Sequence, residues 1–369
     1  VYKRQGYNRR EIDELTADIA AIPGVVYAEL DMPCENMVSP LQSNIPGCTA
    51  GRDAAPDNVD WAPDLVGFFD LPAGSPTGSG VTVGHIDTGY TDHAELNVPD
   101  AYDLTASTST IGPGGGVDPM DGGSSHGTAT GTVITSAAGS SATNDLGQPS
   151  DGITGLAPGA TVIAVRGIAD VVIVPFFTQA DIAAAVHHCI DTGCEVVSMS
   201  FGGLLSPAVT DALEQAFDAD IILCAAAGNC VRFVVQPAAL SGVIACAGVG
   251  VDPADGSVHP WPGTSRGPSV DIAAPAENVW VGDWSSGQQQ VRPGEGTSFA
   301  APHVAAAAAL WLEEHDGDPR LEEYAAAGIR LGEVFRFVVQ GTANVPAGWD
   351  TDNLGAGVVN LPALLALSL

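Results

Sequence analysis

Val81-Thr82-Val83-Gly84-His85-Ile86, followed at once by Asp87-Thr88-Gly89, is the stretch from which the fold can be read. A short run dominated by aliphatic and β-branched residues, closed by a turn-forming triplet, forms a strand covered on both faces. The same texture returns at Thr161 to Val165, Glu195 to Met199, Ile221 to Ala226 and Val243 to Ala247. Between these runs, Thr178 to Asp191 and Pro207 to Ala219 have helical spacing, and an Ala-rich helix opens at Gly296 and runs to about Glu314. Strands alternating with helices predict an α/β fold with a mainly parallel central sheet flanked by helices. The Gly/Ser/Thr-rich stretch 105–125 reads as one long surface loop, and no internal repeat interrupts the pattern.

Ahead of Val81 the character differs. Ile12, Leu15, Ile19 and Ile22 lie at helical spacing, Pro23-Gly24 stops that helix, and Val25 to Leu30 reads as a short strand. From Met32 to Gly80 the chain is rich in Pro, Gly, Asn and Asp, which predicts a loop-dominated connector and a natural processing site. The opening Val1-Tyr2-Lys3-Arg4-Gln5 has no charged-then-apolar leader pattern and reads as the start of a fragment.

Composition narrows the partners. The formal net charge is −32 and Lys3 is the only lysine, so the field of the chain repels phosphate and anionic lipid. A nucleic-acid partner is excluded on that ground, and no apolar run reaches the ~18 residues of a membrane span. The acidic surface serves dispersal in water; adaptation to high salt is the sharper reading of the same charge. The seven cysteines are an odd number, and no Cys-x-x-Cys pair suggests zinc. Cys189 with Cys194 is the expected local disulfide, Cys34 with Cys48 a second candidate, and Cys224 and Cys246 sit in apolar runs as core residues.

Four segments carry chemistry, at strand ends or helix starts, where open α/β sheets place their sites. Asp87 follows the first strand and could hold an imidazole in its working tautomer; alone, Asp-Thr-Gly is an ordinary strand-ending turn. His126 in His126-Gly127-Thr128-Ala129-Thr130-Gly131 opens an apolar segment, and Gly127 lets partners approach closely. Ser298 in Gly296-Thr297-Ser298-Phe299-Ala300-Ala301-Pro302-His303 stands at a helix N-terminus, where backbone N–H groups and the helix dipole favour negative charge. A serine there is also a preferred N-cap, but a cap does not need this eight-residue string. Asn229 ends the run Ala225-Ala226-Ala227-Gly228 with a neutral amide donor suited to a developing oxyanion.

In this order and context the motifs resemble the subtilase family of serine peptidases, whose chain order is Asp, His, Ser. The match runs from about Gly80 to Leu361 and includes Ser265-Arg266-Gly267-Pro268, Ala273-Ala274-Pro275 and Asn353-Leu354-Gly355-Ala356-Gly357-Val358-Val359-Asn360. The resemblance implies a three-layer subtilisin-like fold over 80–369, with Asp87, His126 and Ser298 as triad and Asn229 as side-chain oxyanion donor. It makes Ser200-Phe201-Gly202 the strand to which peptide substrate pairs, and Ala226-Ala227-Gly228 one wall of the specificity pocket, with Val235 or Gln236 near its base. Ser125, Ala276 and Ala305 replace glycines usual in the family; each adds a small side chain near tight backbone and removes no reacting group. Residues 1–38 resemble the tail of an inhibitory propeptide, 39–79 the connector holding the processing site. The partners implied are protein or peptide substrates and the chain's own N-terminal segment, in a secreted monomer. No cofactor is implied for the chemistry; structural calcium is implied in general, with Asp118, Asp121, Asp350 and Asp352 as oxygen-rich candidates that also read as turn formers. The alternative is a catalytically silent binding protein on the same fold, which the loss of one of the four site residues would mark; all four are present. A hydrolase with a nucleophile elbow would need Gly-x-Ser-x-Gly with Ser first in the chain, and Ser298 comes last.

Overall fold

The computed structural model describes residues 56, 58–91, 93–96, 98, 100–105, 126–136, 152–168, 171–173, 178–285 and 288–369. The expected N-terminal helix and strand, the loop 106–125 and the cysteines Cys34 and Cys48 lie outside the described residues.

Among the described residues twelve strands follow in chain order: β1 (Thr82–Asp87), β2 (Asp100–Asp103), β3 (Thr161–Arg166), β4 (Val172–Ile173), β5 (Val196–Met199), β6 (Gly202–Gly203), β7 (Ile222–Ala226), β8 (Val243–Val251), β9 (Val258–Pro260), β10 (Ile272–Pro275), β11 (Val279–Ser285) and β12 (Gln288–Gly294). The helices are α1 (Trp61–Leu65), α2 (His126–Thr135), α3 (Gln179–Asp191), α4 (Pro207–Asp218), α5 (Thr297–Glu314), α6 (Pro319–Ala326), α7 (Leu331–Gly341), α8 (Thr351–Leu354) and α9 (Leu361–Ala366).

The central sheet has the order β10-β8-β7-β5-β1-β3-β2, every pair on that path parallel, with β9 added antiparallel to β8. All residues of β5 and β7 are buried, as a strand sandwiched between helix layers requires. All five strands read from the sequence are present. The first ends one residue later than expected, so Asp87 is the last residue of β1 rather than the first beyond it. The pattern missed β2 and β10 and the antiparallel β11–β12 hairpin.

Two apolar layers cover the sheet. On one side α5 is buried from Thr297 to Leu312. A helix apolar all round belongs inside, and its alanines let it lie close against β7, β8 and β10. On the other side α3 and α4 cover Ile86, Val197, Leu223 and Ala245. Helix α4 starts from Ser206, whose hydroxyl accepts from Val209 N–H at 3.4 Å, with Pro207 in its first turn. The far end of α5 is tied to the entry of the domain: Glu313 Oε2 accepts from the N–H groups of Thr77, Gly78 and Ser79 at 2.6, 2.6 and 2.8 Å.

Cys189 and Cys194 are free buried thiols, not the expected disulfide. Both sulfurs press on β1, where a Cβ added to Gly84 would meet Cys189 Sγ at 2.6 Å and Cys194 Sγ at 3.1 Å. They act as small apolar residues filling the gap that a glycine leaves. Cys224 and Cys246 are free and fully buried, as their apolar runs predict, and Cys230 is disulfide-bonded.

Candidate active site

Asp87, Ser200 and Asn229 all lie at the carboxyl ends of neighbouring strands. The register places Ile86 beside Met199 and Met199 beside Ala225, so the chain leaves β1, β5 and β7 at one edge of the sheet. Helices α2 and α5 start at this edge and pack on each other, with Phe299 against Ala129 and Val133.

Asp87 is 1% exposed, and its Oδ1 accepts from His126 Nδ1 at 2.8 Å and from the Thr88 N–H at 2.7 Å. Burial works to raise its pKa, but His126, by charge and hydrogen bond, with His85 and the Thr88 N–H, holds it below the usual carboxylate range. His126 opens α2, and the approach depends on Gly127: a Cβ there would lie 2.0 Å from the Gly89 carbonyl oxygen. Beneath the pair, Thr130 Oγ1 lies 3.3 Å from Asp87 Oδ2. His85 Nε2 lies 3.0 Å from Thr130 Oγ1 and 3.1 Å from the Gly127 carbonyl, which can only accept, so Nε2 carries the proton. Burial pushes the His85 pKa down, against the pull of Asp87, and the ring is neutral at pH 7.

Ser298 is the second residue of α5, so its N–H has no carbonyl partner within the helix. Four residues on, Pro302 has no N–H to give to the Ser298 carbonyl. Ser200 Oγ donates to that carbonyl at 2.7 Å instead, and Ser298 Oγ donates to the Ser200 carbonyl at 3.2 Å. The proline that an α-helix normally rejects thus frees the group that ties the serine to β5. Asn229 is held by Thr297: Oδ1 accepts from the Thr297 N–H at 2.9 Å and from Thr297 Oγ1 at 2.7 Å. Thr297 Oγ1 in turn accepts from the Gly228 N–H at 3.1 Å. With Oδ1 occupied, the Nδ2 amide of Asn229 is turned towards Gly296 and the start of α5.

The two expected substrate-binding segments flank this edge. Phe201 is buried, while the Gly202 N–H donates to the Val171 carbonyl at 3.0 Å and the Gly203 N–H to the Gln236 carbonyl at 2.8 Å. The edge expected to receive a peptide is therefore paired with β4 in this structure. Ala226 and Ala227 are buried and Gly228 is half-buried, facing Val235.

The calcium candidates divide. Asp118 and Asp121 lie outside the described residues. Asp350 Oδ2 accepts from Asn353 Nδ2 at 2.9 Å, the local bond of a turn former. Among the described residues no group of three or more His, Cys, Asp or Glu side chains is placed to hold a metal, and no calcium site is assigned.

Sequence reasoning missed His85, Thr130 and Thr297. The signals were present: His85 is the one ionisable residue in an aliphatic strand, two residues from Asp87 and so on its face of the sheet. Both threonines stand inside the strings that contain His126 and Ser298.

A carboxylate–imidazole pair at the end of a parallel sheet, with a serine and an amide at the positive end of a central helix, is an arrangement suited to hydrolysis through a serine. The sequence profile of the subtilase family matches residues 78–347, and the chain belongs to that family of serine proteases. It is 28% identical to a subtilisin-like serine protease of Penicillium rubens over 84% of this chain and 69% of that protein. An extracellular protease of Xanthomonas campestris is 26% identical over 98% and 63% of the two chains, and subtilisin E of Bacillus subtilis 30% identical over 65% and 57%. Among solved structures, a protease from Pseudoalteromonas arctica superposes with a TM-score of 0.64 at 23% identity, covering 85% of this chain and 99% of that one. MycP1 with its N-terminal propeptide removed gives 0.63 at 22%, covering 84% and 97%. These two likenesses establish the same mainly parallel α/β fold.

Proposed function

We propose that the chain is an endopeptidase that cleaves proteins through an acyl-enzyme formed on Ser298, with His126 as general base and Asp87 as its orienting carboxylate. The observation that carries this reading is the 2.8 Å bond from His126 Nδ1 to the buried Asp87, made where the serine-bearing N-terminus of α5 meets Asn229. That bond fixes the proton on Nδ1 and leaves Nε2 as the basic nitrogen. Ser298 turns its hydroxyl from the Ser200 carbonyl to Nε2, gives up its proton and attacks the scissile carbonyl carbon. The oxyanion receives the Ser298 N–H and the Asn229 amide, both set in place before reaction. His126 then protonates the leaving amine; water deprotonated by the same imidazole releases the acid product and restores Ser298.

Substrate enters as an added strand along Ser200-Phe201-Gly202, taking the place that the short β4 ladder now holds at Gly202. The Xanthomonas relative is named an extracellular protease, which supports secretion of this chain. The MycP1 structure is of a chain with its N-terminal propeptide removed, which supports reading residues 1–38 as the tail of one, with self-cleavage between residues 35 and 60. N-terminal sequencing of active enzyme checks this; a start before Glu35 counts against it.

The decisive experiment is labelling with a fluorophosphonate probe, comparing the chain with Ser298→Ala, followed by casein digestion. The expected result is labelling and proteolysis that both vanish in the variant, with turnover down by about 10⁴-fold or more. A folded, processed chain that never labels, at low or high salt, would return the reading to a silent scaffold.

A further inference from the structure

Burying a histidine inside β1 costs the fold stability that an aliphatic residue there would not. His85 is 2% exposed and stands between Ala164 of β3 and Ser198 of β5, its partners in the sheet register. Its Nδ1 is buried with no hydrogen-bond partner among the described residues, and so is Ser198 Oγ. The hydrogen bonds of the ring therefore all lie on its Nε2 side, towards Asp87 and His126. There the Nε2–H reaches two acceptors at the start of α2, Thr130 Oγ1 at 3.0 Å and the Gly127 carbonyl at 3.1 Å. Thr130 has one hydroxyl proton and three acceptors in reach: the His126 carbonyl at 2.9 Å, the Gly127 carbonyl at 3.3 Å and Asp87 Oδ2 at 3.3 Å.

The ring decides among those acceptors. Its N–H already satisfies the Gly127 carbonyl, and by donating to Thr130 Oγ1 it makes that hydroxyl a stronger donor. Of the two acceptors left, the carboxylate is favoured, because a hydrogen bond to an ionised group is roughly twice as strong as a neutral one. We infer that His85 is a positioning residue for the serine chemistry. Through Thr130 it holds Asp87 Oδ2 from beneath, and through the Gly127 carbonyl it holds the helix turn that carries His126. The inference rests on the endopeptidase reading above and adds to it a residue outside the triad. Asp87 and His126 are the ionisable groups that act on the ring. A donor on Asp87 Oδ2 spreads the carboxylate charge, so losing it concentrates charge on Oδ1 and makes His126 more basic.

The test measures kcat, KM and their pH dependence on succinyl-Ala-Ala-Pro-Phe-p-nitroanilide, or its Ala counterpart if that turns over faster. The enzyme is the processed full-length chain, titrated with the fluorophosphonate probe. His85→Val is expected to lower kcat about tenfold with KM within about twofold, and to move the acid limb of kcat/KM up by about half a unit. Its thermal midpoint is expected to stay level or rise, since the variant buries no orphaned nitrogen. Thr130→Val should reproduce the kinetic signature, and the double variant should cost little more than either single one, because the two residues act in series. His85→Gln, which returns an N–H donor near the place of Nε2, should recover most of kcat. Thr130→Val carries the test alone if the strand variant does not fold. A kcat and an acid limb unmoved in labelled variants, whatever their thermal midpoint, make His85 a packing residue; that overturns the inference and leaves the endopeptidase reading standing. A wild-type chain that neither labels nor turns over casein or either peptide overturns that reading, and this inference with it.

Discussion

At the scale of single residues, the arrangement divides the labour between groups that would react and groups that aim them. Asn229→Ala is expected to lower kcat by about 10²–10³-fold with little change in KM, a magnitude taken over from the oxyanion asparagine of subtilisin. Thr297→Val removes the hydroxyl that bonds Asn229 Oδ1 but keeps the N–H bond to the same oxygen. It is expected to cost a smaller factor, about tenfold, read as kcat on a peptide p-nitroanilide with unchanged fluorophosphonate titration. The aiming residues were the harder ones to read. Asp87, His126 and Ser298 announce themselves by type, order and local string, because the chemistry proposed for them restricts which residues can stand there. Thr297 and Thr130 are as compatible with a helix start as with an active site, and only the direction of their hydroxyls tells the two apart.

The elements were legible in proportion to how closely their local pattern followed their burial. Strands β5 and β7 and helix α5 are continuous apolar runs because they are covered all round, so composition alone placed them. Strand β10 was missed because it ends in Pro275, a residue expected to demote a strand; it lies at the edge of the sheet, where one missing donor is tolerated. Helix α7 carries a readable stripe in Val334, Phe335, Val338 and Val339, obscured by Phe337, which faces solvent at 77% exposure. Contacts between elements depend on single atoms. Gly84→Ala would drive a methyl into Cys189 Sγ and separate β1 from α3, so a loss of about 1–3 kcal/mol is expected, read as a lower thermal midpoint. Adding Cys189→Ala, which withdraws that sulfur, should recover part of the loss.

For the molecule as a whole, charge is the dominant variable. A chain of formal net charge −32 repels itself, and that repulsion is screened over about 30 Å at 0.01 M salt but about 3 Å at 1 M. Thermal stability is therefore expected to rise with salt across that range, measured by scanning calorimetry at fixed pH. Acid acts through a buried base as well. His303 is 1% exposed, donates from Nδ1 to the Phe299 carbonyl at 2.7 Å, and has its pKa lowered to about 4 by burial, against the pull of that hydrogen bond. The unfolded chain takes up this proton near pH 6.5 while the folded one refuses it until about pH 4. Stability is thus intact above pH 6.5, falls as the pH drops towards 4, and levels off below it, by a total of about 3 kcal/mol. Because carboxylate protonation relieves repulsion over the same range, the measurement is the difference between wild type and His303→Gln, whose curve should lack this step. The three N–H groups of residues 77–79 that close on Glu313 give the fold a mechanical character. A pull on the chain ahead of Thr77 meets α1 first, where buried Trp61 donates to the Asn278 carbonyl at 2.8 Å, then that clasp, and is carried into α5, a rod whose other end, about 22 Å away, holds Ser298. The domain can therefore be tethered, towed or trimmed at its entrance, and the strain meets a rigid strut before it reaches the serine.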